Sequence, residues 1–113
     1  MKSNPNLYND YDDLKGWNTL FQPSIQEAHL YSKEFKHINF SGSYFLDIGF
    51  GSGGLLGWAT KQGAIVSGVE LQEKLIKEAR KEGIEVYKEL KEVPSQRYDI
   101  VTGFDLLEHL PLN

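Results

Sequence analysis

Four glycines fall within six positions, Gly49, Gly51, Gly53 and Gly54, between the run Tyr44-Phe45-Leu46-Asp47-Ile48 and a segment with helical periodicity. The run is apolar apart from Asp47 and rich in strand-forming residues. Its near-continuous apolar character suits a parallel strand buried on both faces. Glycine accepts left-handed backbone conformations and lets a ligand or another backbone come close. A helix N-terminus presents N–H groups that have no partner within the helix. Strand, glycine turn and helix start together predict a backbone cradle for an anionic or polar ligand, here a nucleoside-bearing cofactor.

The remaining elements follow from periodicity. A helix begins after Pro23, where Ser24 and Glu27 have capping-box spacing, and Ile25, Ala28, Ser32 and Phe35 share one face. After the first strand, 44–48, a helix over 53–62 buries Leu55, Leu56 and Ala59, with Trp58 as a packing residue and Gly63 as the stop. The second strand, 64–69, ends at Glu70. A helix over 72–82 turns Leu75, Ile76 and Ala79 inward and its charges outward, with Glu73 and Lys77 at supportive i,i+4 spacing. Gly83 precedes a short strand, 84–87. Residues 88–97 form a polar connector with one helical turn, 98–102 a fourth strand, and Leu106–Leu110 the start of another helix.

This β-α-β-α-β-x-β order implies right-handed crossovers and an α/β architecture, a Rossmann-like parallel sheet with helices on both faces. The sheet is expected to be truncated after the fourth strand, which would leave Ile100 and Val101 on an exposed apolar edge. A missing C-terminal segment or a second chain is expected to cover it. The domain is assigned to 23–113, behind an irregular N-terminal arm, 1–22, whose aromatics Tyr8, Tyr11, Trp17 and Phe21 are expected to dock on the domain as surface packing, with a lid over the cofactor as the alternative.

Composition narrows the function. The chain has 113 residues, net charge -4 and no cysteine, which excludes disulfides and thiolate metal sites and gives no basic surface for nucleic acid. No apolar run approaches the roughly 20 residues of a membrane span, and no signal-peptide core follows Met1, so a cytoplasmic protein is expected. No metal is assigned. His29 and His37 lack partners at ligand spacing; Glu108 and His109, with Asp105, read as the start of a helix, with an acid–base pair or a set of metal ligands as the alternative.

The glycines divide the work of the turn. Gly49 turns the chain off the strand, Gly51 gives a ligand access to the backbone, and Gly53 or Gly54 lets the helix approach the strand. Glu70, about twenty residues on, stands where a carboxylate can take both hydroxyls of a ribose. Two cofactors compete for this turn. Gly49-x-Gly51-x-x-Gly54 fits the dinucleotide fingerprint of a nicotinamide or flavin oxidoreductase. Gly49-x-Gly51-x-Gly53 also fits the glycine pattern of S-adenosylmethionine enzymes. Asp47 favours the second, because a carboxylate there repels a pyrophosphate and suits a cationic amino group. A non-catalytic module that keeps the fold to bind cofactor or a partner is the third alternative.

Leu46-Asp47-Ile48-Gly49-Phe50-Gly51-Ser52-Gly53, Val66-Ser67-Gly68-Val69-Glu70 and the segment 99–110 together resemble the class I S-adenosylmethionine-dependent methyltransferase superfamily. The resemblance covers about 24–113. It implies that Gly49, Phe50, Gly51 and Gly53 line the methionine side of S-adenosyl-L-methionine, that Asp47 orients its amino group and that Glu70 binds the ribose. It further implies that Leu71 packs near the adenine and that Phe104 borders the methionine or sulfonium region. Phe50 replaces a small residue common in the family, and Tyr87-Lys88-Glu89 lacks the acid often found after the third strand. The implied activity is methyl transfer to a small-molecule acceptor, a metabolite, lipid or sugar. The acceptor side is expected from the N-terminal arm and from loops after later strands, and no catalytic residue is assigned.

Overall fold

The computed structural model describes residues 20–103. Helix α1, Ile25–Glu34, begins at Ser24, whose hydroxyl oxygen accepts the Glu27 N–H at 3.0 Å while the Glu27 carboxylate accepts the Ser24 N–H at 2.9 Å. This reciprocal cap satisfies two donors that a helix start leaves over. The inward face of α1 differs from the expected one. Ala28, Tyr31 and Phe35 pack on the core, whereas Ile25 is 90% exposed and Ser32 is exposed. Aromatic docking sets the rotation: the rings of Tyr31 and Phe35 lie 5.8 and 5.7 Å from that of Trp58, and two large rings outweigh one isoleucine.

Strands β1 (Tyr44–Ile48), β2 (Ile65–Val69), β3 (Glu85–Tyr87) and β4 (Ile100–Thr102) form one parallel sheet in the order β3-β2-β1-β4. Helix α2, Gly54–Lys61, joins β1 to β2, and α3, Glu73–Lys81, joins β2 to β3. Both helices end at glycines in the left-handed region, Gly63 (φ 96°) and Gly83 (φ 81°), as expected for helix stops.

The core lies on one face of the sheet. Phe45, Val66, Val86 and Ile100 point there, against Leu55, Leu56 and Ala59 of α2 and Leu75, Ile76 and Ala79 of α3, with α1 closing over Trp58 and Phe40. Phe45 and Leu56 are fully buried, each worth about 1.5–3 kcal/mol relative to exposure. Right-handed crossovers put the described helices on this one face, because β1, β2 and β3 follow one another in one direction. The connector from β3 to β4 runs in the opposite direction. It passes over the other face as a chain containing a single 3-10 turn, Leu90–Glu92, and brings Arg97 to Glu85 (3.1 Å) and over the ring of Tyr44 (5.7 Å).

β4 pairs only with β1 among the described residues, and Val101 there is 55% exposed. The helix expected over Leu106–Leu110 lies outside the described residues, as does most of the arm. No helix among the described residues is long and apolar enough to cross a membrane.

Candidate functional site

The glycine turn is built from alternating left-handed residues. Gly49, Gly51 and Gly53 have φ values of 71°, 58° and 79°, where a side chain would cost about 1 kcal/mol each. The turn is tied to the end of β2: the Gly49 N–H donates to the Val69 carbonyl (2.7 Å), the Phe50 N–H reaches the same carbonyl at 3.4 Å, and the Gly51 N–H donates to Glu70 Oε1 (3.0 Å). Gly54 serves packing instead. A Cβ there would lie 3.2 Å from Glu27 Oε1 and 3.5 Å from the Pro23 Cα, so its missing side chain lets the α1 segment come up to the start of α2.

Two buried carboxylates flank the turn. Glu70 is 8% exposed, and its Oε2 accepts the Leu71 and Gln72 N–H groups at 3.0 and 3.1 Å. With the Gly51 amide this makes three backbone donors. An ionised carboxylate has about four acceptor positions, which leaves capacity for a further donor at the tip of β2. Asp47 is 5% exposed, and its Oδ1 accepts the Thr102 hydroxyl at 2.9 Å. In register, Asp47 stands between Gly68 and Thr102.

The β1–β4 boundary is where the strand order reverses, and open α/β sheets bind ligands at that crevice beyond the strand C-termini. Asp47 stands at that boundary opposite Thr102, and the glycine turn and Glu70 follow the C-terminal ends of the adjacent β1 and β2. Leu71, just beyond Glu70, is 74% exposed. Phe104, like Asp105, Glu108 and His109, lies outside the described residues.

Phe50 contributes its backbone to the turn and its ring to the core. The ring is 4% exposed and lies against Gly68, where a Cβ would overlap it. The larger residue at this position is therefore matched by the absence of a side chain on β2. After β3, Lys88 forms an ion pair with Glu73, and Glu89 pairs with Lys91 at 3.3 Å. The hydrogen bond from Lys88 holds the Glu73 carboxyl below its usual range, and the same bond raises the Lys88 ammonium. Glu73 thus meets Lys88 across the strand ends, besides the favourable charge of Lys77 one turn along α3.

Two residues escaped sequence reasoning, and a third, Phe21, was foreseen only as an arm aromatic that docks on the domain. Thr102 carries no local signal, because its role depends on the β1–β4 register. Gly57, inside α2, sits where a Cβ would overlap the Phe21 carbonyl. Its signal was present, since a glycine within a helix costs about 1 kcal/mol relative to alanine and calls for a packing reason. Phe21 donates its N–H to the Ser52 carbonyl (2.8 Å) and lays its ring on Gly53. It does so at φ 61°, a conformation costing a non-glycine residue about 1 kcal/mol.

A family model described as a methyltransferase domain matches residues 23–113. Among curated proteins, the chain is similar to the ubiquinone biosynthesis O-methyltransferase of Coxiella burnetii (strain RSA 493 / Nine Mile phase I), 34% identical over 85 residues that cover 67% of this chain and 36% of that protein. The protein of the same name from Bordetella avium (strain 197N) is 43% identical over 81 residues, 62% of this chain and 33% of that one. The chain thus spans about a third of the length of these curated relatives.

Among solved structures, an S-adenosylmethionine dependent methyltransferase from Mesorhizobium loti overlays with a TM-score of 0.54 at 26% identity, covering 67% of this chain and 38% of that one. The plantazolicin methyltransferase BpumL, solved in complex with SAH, gives 0.50 at 26% identity over 86% of this chain and 39% of that one. A structure from Methanococcus maripaludis, at TM-score 0.60 and 15% identity over 91% of this chain and 53% of that one, speaks for the fold alone. A parallel sheet reversing beside a glycine turn, and a family match that runs from Pro23 to Asn113, lead to one conclusion: the chain belongs to the class I S-adenosylmethionine-dependent methyltransferases.

Proposed function

We propose that this chain binds S-adenosyl-L-methionine at the glycine turn and that the enzyme it belongs to transfers the methyl group to a hydroxyl oxygen of a small-molecule acceptor. The observation that carries this reading is the pair of buried carboxylates, Asp47 and Glu70, on either side of a turn made of left-handed glycines. Glu70, already oriented by three amides, offers its remaining acceptor capacity to the ribose. Asp47, oriented by Thr102, supplies negative charge for the methionine amino group. Gly49, Phe50, Gly51 and Gly53 give the methionine moiety a backbone surface, Leu71 an apolar one for the adenine, and Phe104 a ring for the sulfonium region. In this reading residues 23–113 are the cofactor-binding part of the domain, and 1–22 an arm that precedes it.

Glu27 supports this cofactor over a dinucleotide. Its carboxylate stands beside Gly54 at the start of α2, the place where a pyrophosphate would seek the helix N-terminus. With Asp47 below the turn, two acidic groups oppose a phosphate and neither opposes a sulfonium or an ammonium group.

The cofactor supplies a methyl group already activated on sulfur. With Asp47, Glu70 and the glycine turn holding that cofactor, the chain's own part would be positioning and exclusion of water. An oxygen nucleophile on a small molecule is favoured by the O-methyltransferase names of the curated relatives. Calorimetric titration with S-adenosylmethionine, S-adenosylhomocysteine and NAD tests the reading. Binding of the two sulfur compounds and not of NAD is expected; tight NAD binding alone would sink it, and a folded chain that binds none would favour a non-catalytic module.

A further inference from the structure

The glycine turn is held from two sides, and only one of them belongs to the sheet. On the sheet side, Val69 and Glu70 accept the amides of Gly49, Phe50 and Gly51. On the other side stands Phe21, ahead of α1. Its N–H donates to the Ser52 carbonyl at 2.8 Å, and its ring covers Gly53 so closely that a Cβ there would overlap it. The ring centroid is 6.1 Å from that of Phe50, which is itself seated on Gly68, and the Phe21 carbonyl occupies the space left by Gly57. Phe21 keeps these contacts at φ 61°. A non-glycine residue persists in the left-handed region when its surroundings over-determine it, and such residues gather at ligand clamps.

We propose that Phe21 is a positioning residue for the cofactor turn. It fixes the Ser52–Gly53 half of the turn as Glu70 fixes the Gly51 half, so that cofactor affinity depends on a residue about thirty positions upstream in the chain. Glycine-rich backbone loses more freedom on ordering than any other, and a turn ordered before the ligand arrives spares the ligand that cost. The remainder of α1 is docked independently, through Tyr31 and Phe35 on Trp58, so loss of the Phe21 ring frees the turn without freeing the helix. The inference rests on the reading of the turn as the S-adenosylmethionine site.

The test compares wild type, Phe21→Ala, Phe21→Leu and Phe35→Ala by titration with S-adenosylhomocysteine and by amide NMR spectra of the cofactor-free chain. Phe21→Ala is expected to weaken binding by about fivefold or more and to shift the Ser52 and Gly53 amide signals. Phe21→Leu, which keeps most of the bulk, is expected to restore affinity to within about threefold of wild type. Phe35→Ala lowers stability from the far end of α1 and leaves both the affinity and those two amides in place. Equal weakening by Phe21→Ala and Phe35→Ala, with the amides unmoved, would overturn the proposal, because the ring would then merely support the helix. Unchanged affinity in Phe21→Ala beside a wild type that binds would overturn it too, with the site reading intact. A wild type that binds NAD in place of S-adenosylhomocysteine would remove both.

Discussion

The turn at Gly83 and the turn at 49–54 both use left-handed glycine, yet they are built for different purposes. At Gly83 the hydrogen bonds close locally: the Gly83 and Ile84 amides donate back to Arg80 and Ala79 at 3.0 Å each, and a Cβ on Gly83 would meet nothing within 4 Å. At 49–54 the amides and carbonyls reach other parts of the chain, Val69, Glu70 and Phe21, and the space around Gly53 is taken by a ring. At Gly83, positive φ serves only to stop the helix. Positive φ together with long-range backbone contacts and an adjacent buried carboxylate is the geometry on which the proposed cofactor site rests.

Substitution can break that contrast at several points. The largest effect is expected at Gly57→Ala. The new methyl group meets backbone at the Phe21 carbonyl, which cannot rotate away, and a loss of about 2 kcal/mol or more in urea unfolding is expected despite the better helix propensity of alanine. Thr102→Val comes next, at about 1–2 kcal/mol, because it keeps the branched shape but removes the hydroxyl that serves the buried Asp47. Gly83→Ala should lose only about 1 kcal/mol, the strain of the left-handed backbone with no clash added. A Gly83→Ala loss matching that of Gly57→Ala would erase the distinction between the two kinds of glycine.

The smallest effect belongs to the ion pair beyond β3. Lys88 lowers the Glu73 carboxyl from its usual 4.5, so the pair's contribution is present above that pH and fades as pH falls through the lowered value. Both partners are solvent-exposed, and Lys88→Ala should leave the melting temperature at neutral pH unchanged within error in moderate salt. A clear drop on acidification in wild type that Lys88→Ala abolishes would show that the pair matters more than its exposure allows.

The fold was legible because its signals are periodic and local. The apolar run Tyr44–Ile48, the inward triplet Leu75, Ile76 and Ala79, the Ser24–Glu27 cap and the stops at Gly63 and Gly83 each state their structure within a few residues, and the strands and helices follow. The rotation of α1 was not legible, because it is set by Trp58, more than twenty positions away, rather than by the pattern of α1 itself. The same divide runs through the site. Asp47, Glu70 and the glycines could be read from spacing alone. Thr102 and Phe21 could not, since the first depends on the β1–β4 register and the second on a backbone conformation that no propensity favours. Phe50 was legible as a member of the turn, but the burial of its ring against Gly68 is a tertiary fact.

The central claim is that Glu70 joins the turn to the cofactor. Its most direct test is the affinity of S-adenosylhomocysteine for wild type, Glu70→Ala and Glu73→Ala, measured side by side by calorimetry on samples checked for folding. Loss of a buried, charge-assisted acceptor should weaken binding at least about tenfold in Glu70→Ala, while the exposed Glu73 can be removed with no more than about a twofold change. Affinity in Glu70→Ala equal to that of wild type would contradict the account.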